Sequence, residues 1–154
     1  MENDFQNEEL IMTTLPKSKM MGDAAVDGLL AGLAAGVVMA VYLIVTGLMT
    51  GDGLSNILGR FAPGEPTTPL AGALSHLAVS AIYGALFGVF SMPLQNRVPI
   101  WAAGLVYGIV LFLVAQYTLL PGTGSSLLEV SPVHFGIAHL LYGGVLGWQV
   151  GRKR

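Results

Sequence analysis

Two histidines interrupt runs that are otherwise apolar. His76 lies in "LSHLAVSAIYGALFG", residues 74–88, and His139 in "AHLLYGGVLGWQVG", residues 138–151. An imidazole in such a place can do three things. As a neutral ring it donates one hydrogen bond and accepts one, tying one helix to another. Through a ring nitrogen it can hold the iron of a haem or, by the same chemistry, the magnesium of a chlorophyll-type pigment. It also titrates near neutral pH, which suits proton handling. A flat tetrapyrrole needs small residues beside its ligand. Gly72 and Ser80 flank His76 four residues to either side, and Gly143 follows His139, whereas Phe135 precedes it. His76 and His139 are thus the candidate cofactor ligands, and a tetrapyrrole is the candidate cofactor. Thr46, Ser80 and Gln116 are polar residues expected near the same depth. His134 falls closer to the end of its run, where water can satisfy it. Tyr83, Tyr107 and Tyr142 each precede a glycine and could line an internal path.

The elements that carry these residues follow from composition. Hydrophobic residues make up 53% of the 154-residue chain and charged residues 10%, against roughly 25% charged in a soluble domain. No Asp, Glu, Lys or Arg occurs in residues 28–51, 67–96, 98–126 or 130–151. A helix needs about 20 apolar residues to cross a bilayer. The reading is an all-α integral membrane domain over residues 23–154, a bundle of four transmembrane helices. They are expected at about 28–50, 70–92, 99–120 and 132–150. His76 and His139 then lie roughly 9 and 10 Å below the same membrane surface at 1.5 Å per residue.

Residues 1–22 read as an acidic, disordered cytoplasmic tail: Glu2, Asp4, Glu8 and Glu9 precede Lys17 and Lys19, unlike the basic start of a signal peptide. Lys17, Lys19, Arg97, Arg152, Lys153 and Arg154 fall on one side of the four spans, and only Arg60 on the other. Short basic segments stay in the cytoplasm, so both termini are expected there, in a bacterial inner membrane. Trp101 and Trp148 fall at that same interface, where aromatic belts form. The opposite loops carry Asp52, Glu65 and Glu129, which read as solvated charges rather than a cation site, and "LSNILGRFA" could form a short interfacial helix. Asp23 and Asp27 are placed to cap the first helix.

Glycines recur at four-residue spacing, which keeps them on one helix face. The sets are Gly28, Gly32 and Gly36; Gly84 and Gly88; Gly104 and Gly108; Gly143, Gly147 and Gly151. In lipid, small residues let helix backbones approach closely. These are packing surfaces, either within one bundle or toward another subunit or copy. His76, Gly84 and Gly88 match His139, Gly147 and Gly151 at one offset, and Gly32 and Gly36 match Gly104 and Gly108 at another. The chain therefore reads as two similar hairpins, helices 1–2 and helices 3–4, related by an axis along the membrane normal.

Several chemistries drop out. There is no Cys, hence no disulfide and no thiolate metal site. HExxH, GxSxG and phosphate-loop motifs are absent. No basic stripe suits nucleic acid. No intramembrane carboxylate exists to couple an ion. The expectation is a protein that is not an enzyme.

"AGLAAGVVMA", "SHLAVSAIYGALFG", "AGLVYGIVLFLVAQYTLLP" and "AHLLYGGVLG", in that order, resemble a group of small bacterial membrane proteins, the YagU-like and related families of unknown function. The resemblance spans about residues 28 to 150. It implies a four-helix inner-membrane protein with no assigned reaction and no catalytic residues to carry over. The reading is a small non-enzymatic membrane protein, an accessory or packing subunit of a larger assembly or a homo-oligomer. The alternative is a haem- or chlorophyll-type cofactor subunit. A small transporter or pH-responsive channel comes third.

Overall fold

Long stretches without charge form long helices. A computed structural model describes residues 20–62 and 68–153, and every regular element in them is helical. Helix α1 runs over Met21–Met49, the short α2 over Leu54–Gly59, α3 over Pro69–Phe90, α4 over Ile100–Thr123 and α5 over Pro132–Arg152. Three of them, α1, α3 and α4, are long and apolar enough to cross a membrane. Large side chains on their outer faces are exposed, among them Val41, Ile82, Phe90 and Val106. Water would not tolerate that belt, and lipid would.

The first helix begins earlier than the apolar run suggests. Asp23 accepts a hydrogen bond from the Met20 amide at 3.3 Å, which supplies a cap and lets the helix start at Met21. Asp27 does different work and pairs with Lys153 at 3.0 Å, joining the start of α1 to the end of α5. The acidic tail expected over 1–22 lies outside the described residues as far as residue 19. Pro69 follows the Thr68 cap and fixes the start of α3, and Pro132 stands at the head of α5. Gly51 and Gly124, both with positive φ, turn the chain after α1 and α4.

Neighbouring helices run antiparallel, in the order α3, α1, α5, α4 around the bundle. The seams are made of backbone. A Cβ on Gly28 would strike the Gly84 carbonyl oxygen, and one on Gly32 the Ser80 carbonyl oxygen. Gly36 lies against Ser80 and His76. The second hairpin brings together the corresponding residues at two of these three positions. Gly104 meets Gly143 and Gly147 as Gly32 meets Ser80 and Gly84, and Gly108 meets His139 and Gly143 as Gly36 meets His76 and Ser80. The two offsets found in the sequence thus superimpose two equivalent helix crossings. All the glycines of the four stripes are in use inside the chain, except that Gly151 meets only the Ile100 side chain.

Helix α5 is the most enclosed, with Ala138 and Leu146 fully buried. It packs on both α1 and α4, so its histidines and small residues face protein rather than lipid. That explains why it is the least apolar of the long helices. Opposite the α1–α5 contact, the ring is looser: α3 and α4 do not pack closely along their backbones. Tyr107 of α4 crosses that gap to donate to the Tyr83 carbonyl at 3.0 Å, and its ring lies 5.2 Å from Phe87. Tyr142 of α5 donates to the Ser80 carbonyl at 2.7 Å. These bonds close the half of the gap nearer the termini.

Candidate functional site

The other half stays open. Between the four long helices lies a cavity of about 260 Å³. His76, Ser80 and Tyr83 come to it from α3, Phe135, His139 and Tyr142 from α5. Helix α1 adds Met39 and Leu43, and α4 adds Leu111, Ala115 and Leu119. Both sequence-predicted histidines therefore reach one chamber. Val79 of α3 and Leu119 of α4 both line it and are each about half exposed, which puts an apolar opening between these two loosely packed helices. Among the described residues, no Asp, Glu, Lys or Arg lines the chamber.

The two imidazoles are held differently. The Nε2 of His76 bonds the Gly36 carbonyl at 2.9 Å, across to α1. The Nδ1 of His139 bonds the Phe135 carbonyl at 2.8 Å, one turn back on its own helix. A carbonyl only accepts, so the bonding nitrogen carries the proton in each ring. His76 spends its outer nitrogen and keeps a lone pair on Nδ1. His139 does the reverse and keeps the lone pair on Nε2, the ring nitrogen farther from the main chain. Phe61 packs on His76 with centroids 4.8 Å apart, and Phe135 meets His139 edge-on at 4.5 Å.

Helix α4 is irregular where it borders the chamber. Residues Ala115–Leu119 form one π-helical turn, with the Leu120 amide bonding the Ala115 carbonyl. Pro121 has no N–H for the Tyr117 carbonyl, which favours the shifted pattern. Single π turns inside α-helices are found often at functional sites. Gln116 sits in this turn but lines neither cavity, and its Oε1 is buried without a partner. The Thr46 hydroxyl bonds back to the Tyr42 carbonyl at 3.0 Å and borders a second cavity instead. Of the polar residues expected beside the histidines, only Ser80 is there.

The second cavity, also about 260 Å³, lies at the loop end. It is polar. Arg60 reaches Asp52 at 2.7 Å and Glu129 at 3.1 Å, and the Asp52 hydrogen bond raises its pKa above the usual arginine value. These two carboxylates pair with a guanidinium, Glu129 while still largely exposed, and among the described residues no group of three metal-ligating side chains exists. Glu65 lies outside the described residues. His134 Nδ1 and the Tyr42 hydroxyl share a hydrogen bond of 2.8 Å. Leu43, Phe61 and Leu127 line both cavities and form the partition between them.

Phe61 and Leu127 escape a reading of the sequence. They sit in connections, not in spans. The segment expected to form a short helix does so as α2, with Leu54, Ser55 and Asn56 exposed on one side; on the other the Leu58 carbonyl sits against Gly72, and Ile57, Phe61 and Ala62 are buried. The apolar string "ILGRFA" inside a loop was the available signal.

A tetrapyrrole does not fit this chamber. Sites for drug-sized ligands run from about 300 to 1,000 Å³, and a macrocycle is larger than most of those ligands. The small residues that would flank it are already covered, Gly72 by Leu58, Ser80 by Gly36 and Gly143 by Gly104. The outer nitrogen of His76 is also committed to Gly36.

A family of unknown function, DUF6789, matches residues 22–154. No curated protein and no solved structure matches the chain.

Proposed function

We propose, for a chain that belongs to the DUF6789 family and inherits no activity from it, a non-enzymatic role in the membrane. The chain is a four-helix integral membrane protein that binds a small, uncharged, apolar molecule taken laterally from the bilayer. The observation that carries this reading is the chamber: four helices surround it, half-exposed apolar side chains of α3 and α4 line it, and among the described residues no charged side chain does.

The fourth span is α5. It has 21 residues and runs antiparallel beside α1 from the His134–Tyr42 bond at one end to the Lys153–Asp27 pair at the other. A helix that tracks a spanning helix along its length spans too. Arg97, Arg152 and Lys153 lie at the end of the termini, which supports a cytoplasmic location for both. Trp101 and Trp148 are half exposed at that end, and Arg152 lies 4.7 Å over the Trp148 ring, as at a membrane interface. The bacterial inner membrane and kinship with YagU-like proteins rest on the order of the sequence motifs.

The reading as a packing subunit has less support. Its argument was the glycine stripes, and these meet their counterparts within the chain. Purification in native-lipid particles tests the choice. The ligand-binding reading expects a colourless chain without a stoichiometric protein partner, whose unfolding temperature rises when a small apolar probe such as propylbenzene is added. A fixed protein partner together with no response to the probe would overturn it, and a stoichiometric visible band would restore the pigment.

A further inference from the structure

We infer that the chamber takes a phenolic ring, whose hydroxyl donates to His139 Nε2 while an apolar substituent leaves between Val79 and Leu119. This rests on the chamber being a ligand site, as proposed above.

Size comes first. A cavity of about 150 Å³ lined by aliphatic and aromatic side chains holds benzene. At about 260 Å³ this one has room for a single ring with substituents, and not for fused rings the size of a macrocycle. Charge comes second. With no Asp, Glu, Lys or Arg on its walls among the described residues, the chamber offers a charged ligand nothing to offset desolvation. The ligand is neutral.

Hydrogen bonding narrows the class further. The Tyr142 hydroxyl is spent on the Ser80 carbonyl, the Thr123 hydroxyl on the Leu120 carbonyl, and His76 Nε2 on the Gly36 carbonyl. His76 keeps only Nδ1, the nitrogen nearer its main chain, as an acceptor, whereas His139 keeps the outer one. The His139 Nδ1–H is anchored on the Phe135 carbonyl, which orients the ring and leaves Nε2 as a pure acceptor. A backbone carbonyl on one ring nitrogen commonly sets the other for ligand contact. A pure acceptor calls for a donor, and a ligand hydroxyl can bring one. A hydroxyl on a ring does so while the ring meets Phe135 and Phe61 on the walls. The apolar mouth at Val79 and Leu119 lets a substituent continue into lipid, beside the π turn that re-aims α4.

Fluorine NMR on the full chain in nanodiscs tests this with a matched pair of probes, 4-(trifluoromethyl)phenol and its methyl ether. Empty nanodiscs correct for partition into lipid. The phenol is expected to show a protein-bound signal and the ether to bind roughly tenfold more weakly, the worth of one buried hydrogen bond. In His139→Phe the preference should vanish; in His134→Phe, in the outer pocket, it should persist. Equal binding of the two probes, or a preference that survives His139→Phe, overturns hydroxyl recognition and leaves the chamber standing. If neither probe binds, or if Leu119→Trp at the mouth changes nothing, the chamber reading falls as well. Should His139→Phe fail to fold, the ratio of the two probes on the unaltered chain still decides.

Discussion

The two hairpins share one scaffold and use it differently. In α1–α3 and in α4–α5 the crossings at Gly32 and Gly104 make the same backbone contacts, and a histidine occupies the same place at the end of each seam. From there they diverge. His76 reaches across its seam to Gly36 and stitches the first hairpin together. His139 turns back onto its own helix and keeps its outer nitrogen free. The helix opposite His76 is regular, while the one opposite His139 carries a π turn. One copy serves as structure, and the other has been released from that duty. A duplicated scaffold can divide labour in this way, since the seam alone holds each hairpin.

The comparison breaks most severely at the seams. Leu in place of Gly84 or Gly147 would drive a side chain into backbone that cannot move aside. Each change is expected to cost more than about 4 kcal/mol, in the range that unfolds a domain. Chemical unfolding in detergent should find the two variants equally damaged. A large difference between them would show that the two crossings are not equivalent. The loss expected is of the fold, not of a partner.

Phe61 gives the next largest effect. It is 7% exposed and separates the chamber from the outer pocket. Phe61→Ala should cost about 3 kcal/mol and open the chamber to water. A water-soluble thiol reagent should then reach a cysteine placed at Met39, in a chain that has no other. Unchanged protection would mean that Phe61 is not the partition.

The histidines sharpen the contrast. His76→Phe removes an interhelical hydrogen bond and leaves the Gly36 carbonyl without its imidazole partner, a loss of about 1 kcal/mol. His139→Phe removes a bond within one helix, where the Phe135 carbonyl keeps its ladder position, so stability should fall by less. The ordering reverses for ligand binding. Equal effects of the two variants on both properties would erase the division of labour.

The smallest effect belongs to the outer pocket. Asp52→Asn removes the shorter of the two contacts to Arg60, and Glu129→Gln the longer one, from a carboxylate 64% exposed. The expected costs are at most about 1 and about 0.5 kcal/mol, both fading as salt is raised. A salt-independent loss would point to a role beyond pairing.

Much of this architecture was legible in the sequence. Charge-free stretches locate the long helices, and four-residue glycine spacing marks the faces that pack. The shared frame of His76 with His139 exposes the duplication. What stayed hidden depends on rotation and side-chain choice. Similar depth brought His76, His139, Thr46 and Gln116 to one level, yet only the two histidines share a chamber, because level does not specify which way a helix face turns. Nothing in a pattern of residue types tells which ring nitrogen of a histidine finds a carbonyl. The short helix α2 was legible as a segment, but not the burial of one of its faces, which depends on Gly72 leaving room for the Leu58 carbonyl, a contact between separate elements. The π turn had a cue in Pro121, but a proline near a helix end more often simply terminates it.

The central claim is that the chamber holds a molecule drawn from the bilayer. It is tested most directly by mass spectrometry of small molecules retained by the full chain in native-lipid particles, alongside Leu119→Trp prepared in the same way. The account expects about one apolar, uncharged molecule per chain, by the logic of a single enclosed site, and its loss when the tryptophan fills the mouth of a still-folded protein. Finding no such molecule in the unaltered chain, or finding it undiminished in Leu119→Trp, would contradict the account.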